Sequence, residues 1–358
     1  ISPTDLRDSN YAGGHATLSI AKGRHNARLG LDGFEESQRE QFDIIFNDES
    51  AQNVTQRQTA HGAIAAFFAE DQYKPAQWLT LNAGVRLTAY SGLLEENIAD
   101  PRLGAAITIP RLHWVLRGFW GRYYQPPPLS SLAGSLLDFA QAQGLGFLPL
   151  RGERDTQVEV GLAIPAYGWT LDFSAFRTRA RNFFDHDVLG NSNIFFPVTI
   201  DQARIRGLEA SMRSPRLGRM AQLHLAYSHQ WAQARGGVTG GISDFSALPS
   251  GDWFFLDHDQ RDTLNTGAQL TLPMRSWAAF NVSYGSGFLN GDGPAHLPSY
   301  TTLDLGLGKN FGENWTIQFS ALNVFNRRFL LDNSNAFGGT HWVDPRQIAG
   351  EIRYRFHY

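Results

Sequence analysis

Two Asp-His-Asp triplets are the residues most suited to chemistry: Asp185–His186–Asp187 and Asp257–His258–Asp259. A histidine flanked by carboxylates can hold a divalent metal or a polar ligand. Spacing limits what one triplet can do. In an extended segment adjacent side chains point to opposite faces, so a single triplet cannot close around an ion. A shared site needs Asp185 or His186 to meet Asp257 or His258 across two loops, and Asp187 completes the first triplet. These five residues are the candidate ligand contacts, and neither triplet alone predicts a metal site.

A second group is ionic. Arg151, Glu153, Arg154 and Asp155 crowd together, Arg206 and Glu209 follow, and Glu351, Arg353 and Arg355 stand near the C-terminus. The bases are almost all Arg; Lys occurs only at Lys22, Lys74 and Lys309. Planar guanidinium forks suit permanent networks with carboxylates. Arg151, Glu153, Arg206, Glu209, Glu351, Arg353 and Arg355 therefore read as the charged wall of a hydrated interior.

No catalytic constellation accompanies them. Tyr284–Gly287 reads YGSG and not G-x-S-x-G. No P-loop, no G-x-G-x-x-G before a helix and no H-E-x-x-H occurs. Glu35–Glu36 and Glu95–Glu96 read as solvated loop charge. Cys is absent, which removes disulfides, thiolate metal sites and Cys nucleophiles. No catalytic residue and no cofactor is expected. A net charge of -3 makes no electrostatic case for nucleic acid.

The elements that must position these groups are strands. Ile348, Gly350, Ile352, Tyr354, Phe356 and Tyr358 share one face, and Ala349, Glu351, Arg353, Arg355 and His357 the other. That is a period of two, not the 3.6 of a helix. The same alternation runs through Leu79–Ala89, Gln157–Ile164, Leu264–Leu272 and Trp315–Ala321. Runs of about ten residues suit tilted membrane strands of ~9–11 residues. Short turns are predicted at Lys22–His25, Tyr73–Ala76, Pro110–Leu112, Pro165–Gly168, Ser214–Gly218, Pro273–Ser276 and Asn310–Asn314. Long links are predicted over 35–59, 91–100, 125–152, 179–197, 236–257, 286–298 and 330–344. Alternating short and long links are the pattern of an outer-membrane barrel. Trp78, Trp114, Trp120, Trp169, Trp277 and Trp315 lie near strand ends, where an indole meets the headgroups. Charged residues are only 18% and aromatics 13%, which fits an all-β antiparallel transmembrane barrel. About fifteen strands are expected, the first around Tyr11–Ile20, and Ile1–Asn10 either form a further strand or follow missing ones.

From Ser130 onward the sequence resembles the C-terminal barrel of TonB-dependent outer-membrane receptors. GRYYQPPPL at Gly121–Leu129 is similar to the family's strand end and Pro-rich loop entry. LRGERDTQVEVGL at Leu150–Leu162, ARIRGLEA at Ala203–Ala210, FFLDHDQRDTL at Phe254–Leu264 and ALNVFNRRF at Ala321–Phe329 resemble later barrel segments in order and position. The resemblance implies a barrel of 22 strands, of which residues 1–358 would be the C-terminal ~15, with the N-terminal plug and first strands absent. It implies outer-membrane lipid around the barrel and uptake of a scarce small nutrient held by extracellular loops. It also implies coupling to the TonB–ExbB–ExbD complex through the missing plug. The barrel assembly machinery would read the terminal aromatics Tyr354, Phe356 and Tyr358. A passive porin-like channel and a secreted soluble β-rich enzyme are the alternatives.

Overall fold

The computed structural model describes residues 2–47, 53–129, 137, 141–142, 144, 146–188, 195–242, 252–257, 259–291, 293–333 and 340–356. Nineteen strands run through them in chain order: β1 (Ser2–Lys22), β2 (His25–Ile45), β3 (Val54–Ala76), β4 (Leu79–Ser91), β5 (Glu95–Ile109), β6 (Trp114–Gln125), β7 (Phe147–Leu148), β8 (Glu153–Ala166), β9 (Trp169–Val188) and β10 (Phe195–Arg213). They continue as β11 (Ala221–Ile242), β12 (Phe254–Phe255), β13 (Asp262–Leu272), β14 (Ser276–Gly285), β15 (Tyr300–Phe311), β16 (Trp315–Leu322), β17 (Leu330–Asp332), β18 (His341–Trp342) and β19 (Gln347–Tyr354). Four are short pieces in the links: β7, β12, β17 and β18. The other fifteen form one antiparallel meander, each paired with the next long strand in the chain. Among the described residues β1 pairs only with β2, and β19 only with β16, so the sheet has two edges.

The sheet is strongly curled. Six long strands lie between β2 and β10, about 30 Å of flat sheet at ~4.8 Å per strand. Yet Phe42 and Ile44 of β2 share one buried cluster with Phe196 and Val198 of β10 and Ile242 of β11. Only a curled sheet brings those faces together, and its concave side is the inner face.

The two faces differ in chemistry. Val158 and Val160, Leu305 and Leu307, and Ile348 and Ile352 stand exposed on the outer face, where lipid replaces water. Trp114, Trp169 and Trp315 each open a strand straight after a short turn, which forms a girdle at the periplasmic interface. Among the described residues no helix is long and apolar enough to cross a membrane; strands do the crossing.

Several expected links are strand instead. Most of 35–59, 91–100 and 179–197 continues the ladders, as does 236–242 at the start of another link, and Ser2–Asn10 belong to β1, paired with Ser37–Ile45. β3 has 23 residues and β11 has 22, twice the ~9–11 that a membrane needs. Above the membrane the outer face also meets water, so alternation in polarity fades while backbone pairing persists. The turn expected at Tyr73–Ala76 falls at 77–78. The ladder slips between Tyr73 and Ala76, and Pro75, which has no N–H to donate, is absorbed in that irregularity.

Candidate functional site

The inner wall is built from arginine–carboxylate pairs that reach across strands. Arg86 of β4 holds Asp32 of β2 at 2.9 and 2.7 Å. Arg117 of β6 holds Asp172 of β9 with two contacts of 2.6 Å. Arg28 pairs with Glu70 at 3.2 Å. Arg28, Glu70, Arg86 and Arg102 line an inner concavity of about 700 Å³. Glu209 receives the Ser174 hydroxyl at 3.4 Å. Glu351 receives Gln318 Nε2 at 2.5 Å and Arg353 Nη2 at 2.6 Å. Arg353 and Arg355 border a cup of about 330 Å³ at the periplasmic end, with Arg275 and Glu313.

Arg206 is elsewhere. It is three residues from Glu209 on one strand, so period two sends the two side chains to opposite faces. Arg206 is exposed beside Leu208 on the outer face, opposite Arg177 and Trp231 in the ladders. The expectation that it shares the interior wall with Glu209 is corrected by that parity.

At the extracellular mouth both ends of the β6–β8 link lie on the inner wall. The Pro127 carbonyl accepts the Tyr90 hydroxyl at 3.3 Å, and Leu129 is buried over Gly62 of β3. At the other end β7 pairs with Gly241–Ile242 of β11. β5 and β6 part above Arg102–Gly121, and Glu96 fills that seam. It accepts the Tyr124 hydroxyl at 2.7 Å, the Gly152 amide at 3.1 Å and Arg154 at 3.3 Å. The reading of Glu96 as free loop charge is therefore corrected: its carboxylate locks three segments. Glu153 is buried and accepts the Phe184 amide at 2.6 Å. It stands above the apolar band, and burial pushes its pKa up to about 7, with the Asp155 carboxylate adding to the rise. Arg151 is exposed at the same rim.

The described residues of the two triplets lie at the mouth. Asp185 and His186 lie opposite Val198 and Pro197 of β10. Asp185 Oδ1 accepts the His186 amide at 2.9 Å. Asp187 faces Phe196 in the ladder, and its side chain lies outside the described residues, as does His258. Asp257 follows β12, which lies beside Gln233–Ala234 of β11. The organising residue is the one left out of the candidate set. Asp259 is fully buried and accepts the Ala232 amide at 2.7 Å, His296 at 3.1 Å and Arg261 at 3.3 Å. It ties the β11–β13 link to the β14–β15 link. The D-x-D-x-R spacing of Asp257, Asp259 and Arg261 was the available signal. Among the described residues no three His, Asp or Glu side chains come together to hold a metal.

This combination of lipid-facing apolar strands, ion-paired interior and loop-filled mouth has a counterpart among known proteins. The family model described as "TonB dependent receptor-like, beta-barrel" matches residues 3–324. The chain belongs to this family. No curated relative matches it. Solved TonB-dependent receptors share the fold. The copper transporter OprC superposes with a TM-score of 0.70 at 12% identity, covering 99% of this chain and 58% of that one. The ferric yersiniabactin uptake receptor FyuA from Yersinia pestis gives 0.74 at 14% identity, over 99% and 55%. The ferripyoverdine receptor of the Pseudomonas aeruginosa outer membrane gives 0.66 at 13%, over 98% and 49%. The chain thus spans about half the length of the solved receptors it matches. TonB-dependent receptor barrels are bacterial outer-membrane proteins and not enzymes, and that is the setting of this sheet.

Proposed function

We propose that residues 1–358 act as one barrel unit of a receptor that takes up a small metal chelate. The observation that carries this is the mouth: both ends of the β6–β8 link rest on the inner wall over an arginine–carboxylate interior. Such an arrangement suits selective capture at the top and passage along a hydrated wall, rather than free diffusion through an open pore. Three of the solved neighbours are a copper transporter, a ferric yersiniabactin uptake receptor and a ferripyoverdine receptor. A chelate is favoured over a bare ion. Two of the three neighbours are named for ferric chelates, a yersiniabactin and a pyoverdine.

Asp185, His186, Asp187, Asp257 and His258 are the proposed ligand-facing group. Arg151, Glu153, Glu209, Glu351, Arg353 and Arg355 are the proposed inner wall against which a plug would move under TonB–ExbB–ExbD. Tyr354, the last residue of β19, and Phe356 just beyond it are both exposed; with Tyr358 they are the proposed segment that the assembly machinery reads by strand addition.

Binding tests the ligand class. Purified receptor should quench its tryptophan fluorescence with one of a panel of ferric siderophores, at concentrations where free Cu²⁺ and Fe³⁺ citrate give none. Saturable binding of the bare ion with no response to any chelate would contradict the assignment.

A further inference from the structure

We propose that the outward arginines of β9 and β10, just above the apolar band, form a docking surface for a phosphate-bearing lipid of the outer leaflet. The outer face of β9 reads upward as Trp169, Leu171, Phe173, Ala175, then Arg177, Arg179 and Arg181. That of β10 reads Met212, Ala210, Leu208, then Arg206 and Arg204. Roughly 26 Å of strand separates Trp169 from Arg177 at ~3.3 Å per residue. Strand tilt shortens this to about 20 Å, so the arginines begin near the outer edge of a band ~25 Å tall.

Register stacks these cations on one another. Arg177 lies directly opposite Arg206, and Arg179 opposite Arg204. On the next strand Arg154 lies opposite Arg181. Like charges placed directly opposite destabilise a sheet. Arg206, Arg177 and Arg235 are the charged groups that act on the Arg204 guanidinium. On the inner face Arg86, Arg117 and Arg353 each hold a carboxylate. On the outer face Arg177, Arg179, Arg181 and Arg206 hold none among the described residues. Arg204 and Arg235 instead stack on the Trp253 ring at 3.9 and 4.9 Å, and Arg206 lies 5.3 Å from Trp231. A field of unneutralised forks on an aromatic base, continuous with a lipid-facing surface, fits the phosphates of a lipid whose acyl chains cover Phe173 and Leu208. Arginine forks match phosphate oxygens bidentately.

The inference does not depend on which nutrient is taken up. The test uses the whole protein, extracted in a mild detergent and titrated with bisphosphorylated lipid A, with its dephosphorylated form and with inorganic phosphate. Retained lipid is read by native mass spectrometry. The wild type should hold the bisphosphorylated lipid at least tenfold more tightly than the dephosphorylated one. R177Q/R179Q/R206Q should lose at least tenfold, while R216Q, at the periplasmic turn, should not change. Equal retention of the two lipids by the wild type would overturn the proposal whatever the fate of the variant. So would unchanged affinity in the folded triple variant, or displacement of the lipid by an equimolar amount of inorganic phosphate.

Discussion

Arg117 of β6 grips Asp172 of β9 through two contacts of 2.6 Å although β8 runs between them. The path exists because Gly161 of β8 has no side chain; a Cβ there would sit 2.5 Å from the Arg117 guanidinium carbon. Inner-wall geometry is thus set by a small residue under a long one.

Gly161→Val should push Arg117 off Asp172. Both partners are about one-third exposed, so solvent screens the pair and the cost should be about 1–2 kcal/mol. Gly118→Ala, where the added carbon meets nothing within 4 Å, should stay near wild type. Urea unfolding of the inserted barrel measures both, and equal midpoints would refute the bridging role of Gly161.

Ile352 is exposed on the outer face of β19, and Arg353 pairs with Glu351 on the inner one. Ile352→Arg places a charge in lipid just above the Trp315–Tyr354 girdle and should cost about 1–2 kcal/mol, short of the roughly 2–4 of the bilayer midplane. Arg353→Ile should cost much less, because its pair is largely solvated. The amount of heat-modifiable, folded barrel recovered from membranes reports the difference, and similar yields would reverse the face assignment.

Alternation marked these faces in advance wherever one side meets lipid. Val158, Val160, Leu162 and Ile164 could be read directly, because lipid selects every second residue. The protruding upper halves could not. In Gln38–Ile45 and Thr55–Gln58 polar residues stand on both faces, and pairing there rests on backbone bonds that leave no mark in composition. The Asp259 and Glu96 hubs were hidden for another reason. Their partners come from segments distant in sequence, 37 residues away for His296 and 56 for Gly152, which the pairing of neighbouring strands brings together. Arg206 was misplaced by reading proximity in sequence instead of parity.

Glu153 gives the mouth a pH dependence. Its carboxyl is raised to about 7 by burial, while in the unfolded chain it titrates near 4.3. Between those values the folded state binds the extra proton, so this contribution is complete below the unfolded pKa and is lost as pH rises through about 7. Hydrogen exchange of the Phe184 amide should therefore quicken from pH 6 to pH 8, beyond the intrinsic base catalysis of exchange. Glu153→Gln should remove that excess. An excess that persists in the variant would assign the effect to another group.

Asp259→Ala should free the mouth links. It deletes a fully buried acceptor for the Ala232 amide, His296 and Arg261. Leaving such partners unpaired typically costs about 3 kcal/mol. Limited proteolysis should then cut within 252–257 at least tenfold faster, with the membrane strands intact. Wild-type cleavage rates would show that the hub does not hold the links.

The central claim is energised uptake, as opposed to passive flow, and transport in cells decides it. Cells producing the complete receptor should accumulate a radiolabelled ferric siderophore that it binds, with saturation, and should stop when TonB is deleted or the proton gradient is collapsed. Uptake that continues unchanged without TonB and rises linearly with concentration would contradict the account and make the barrel a passive channel.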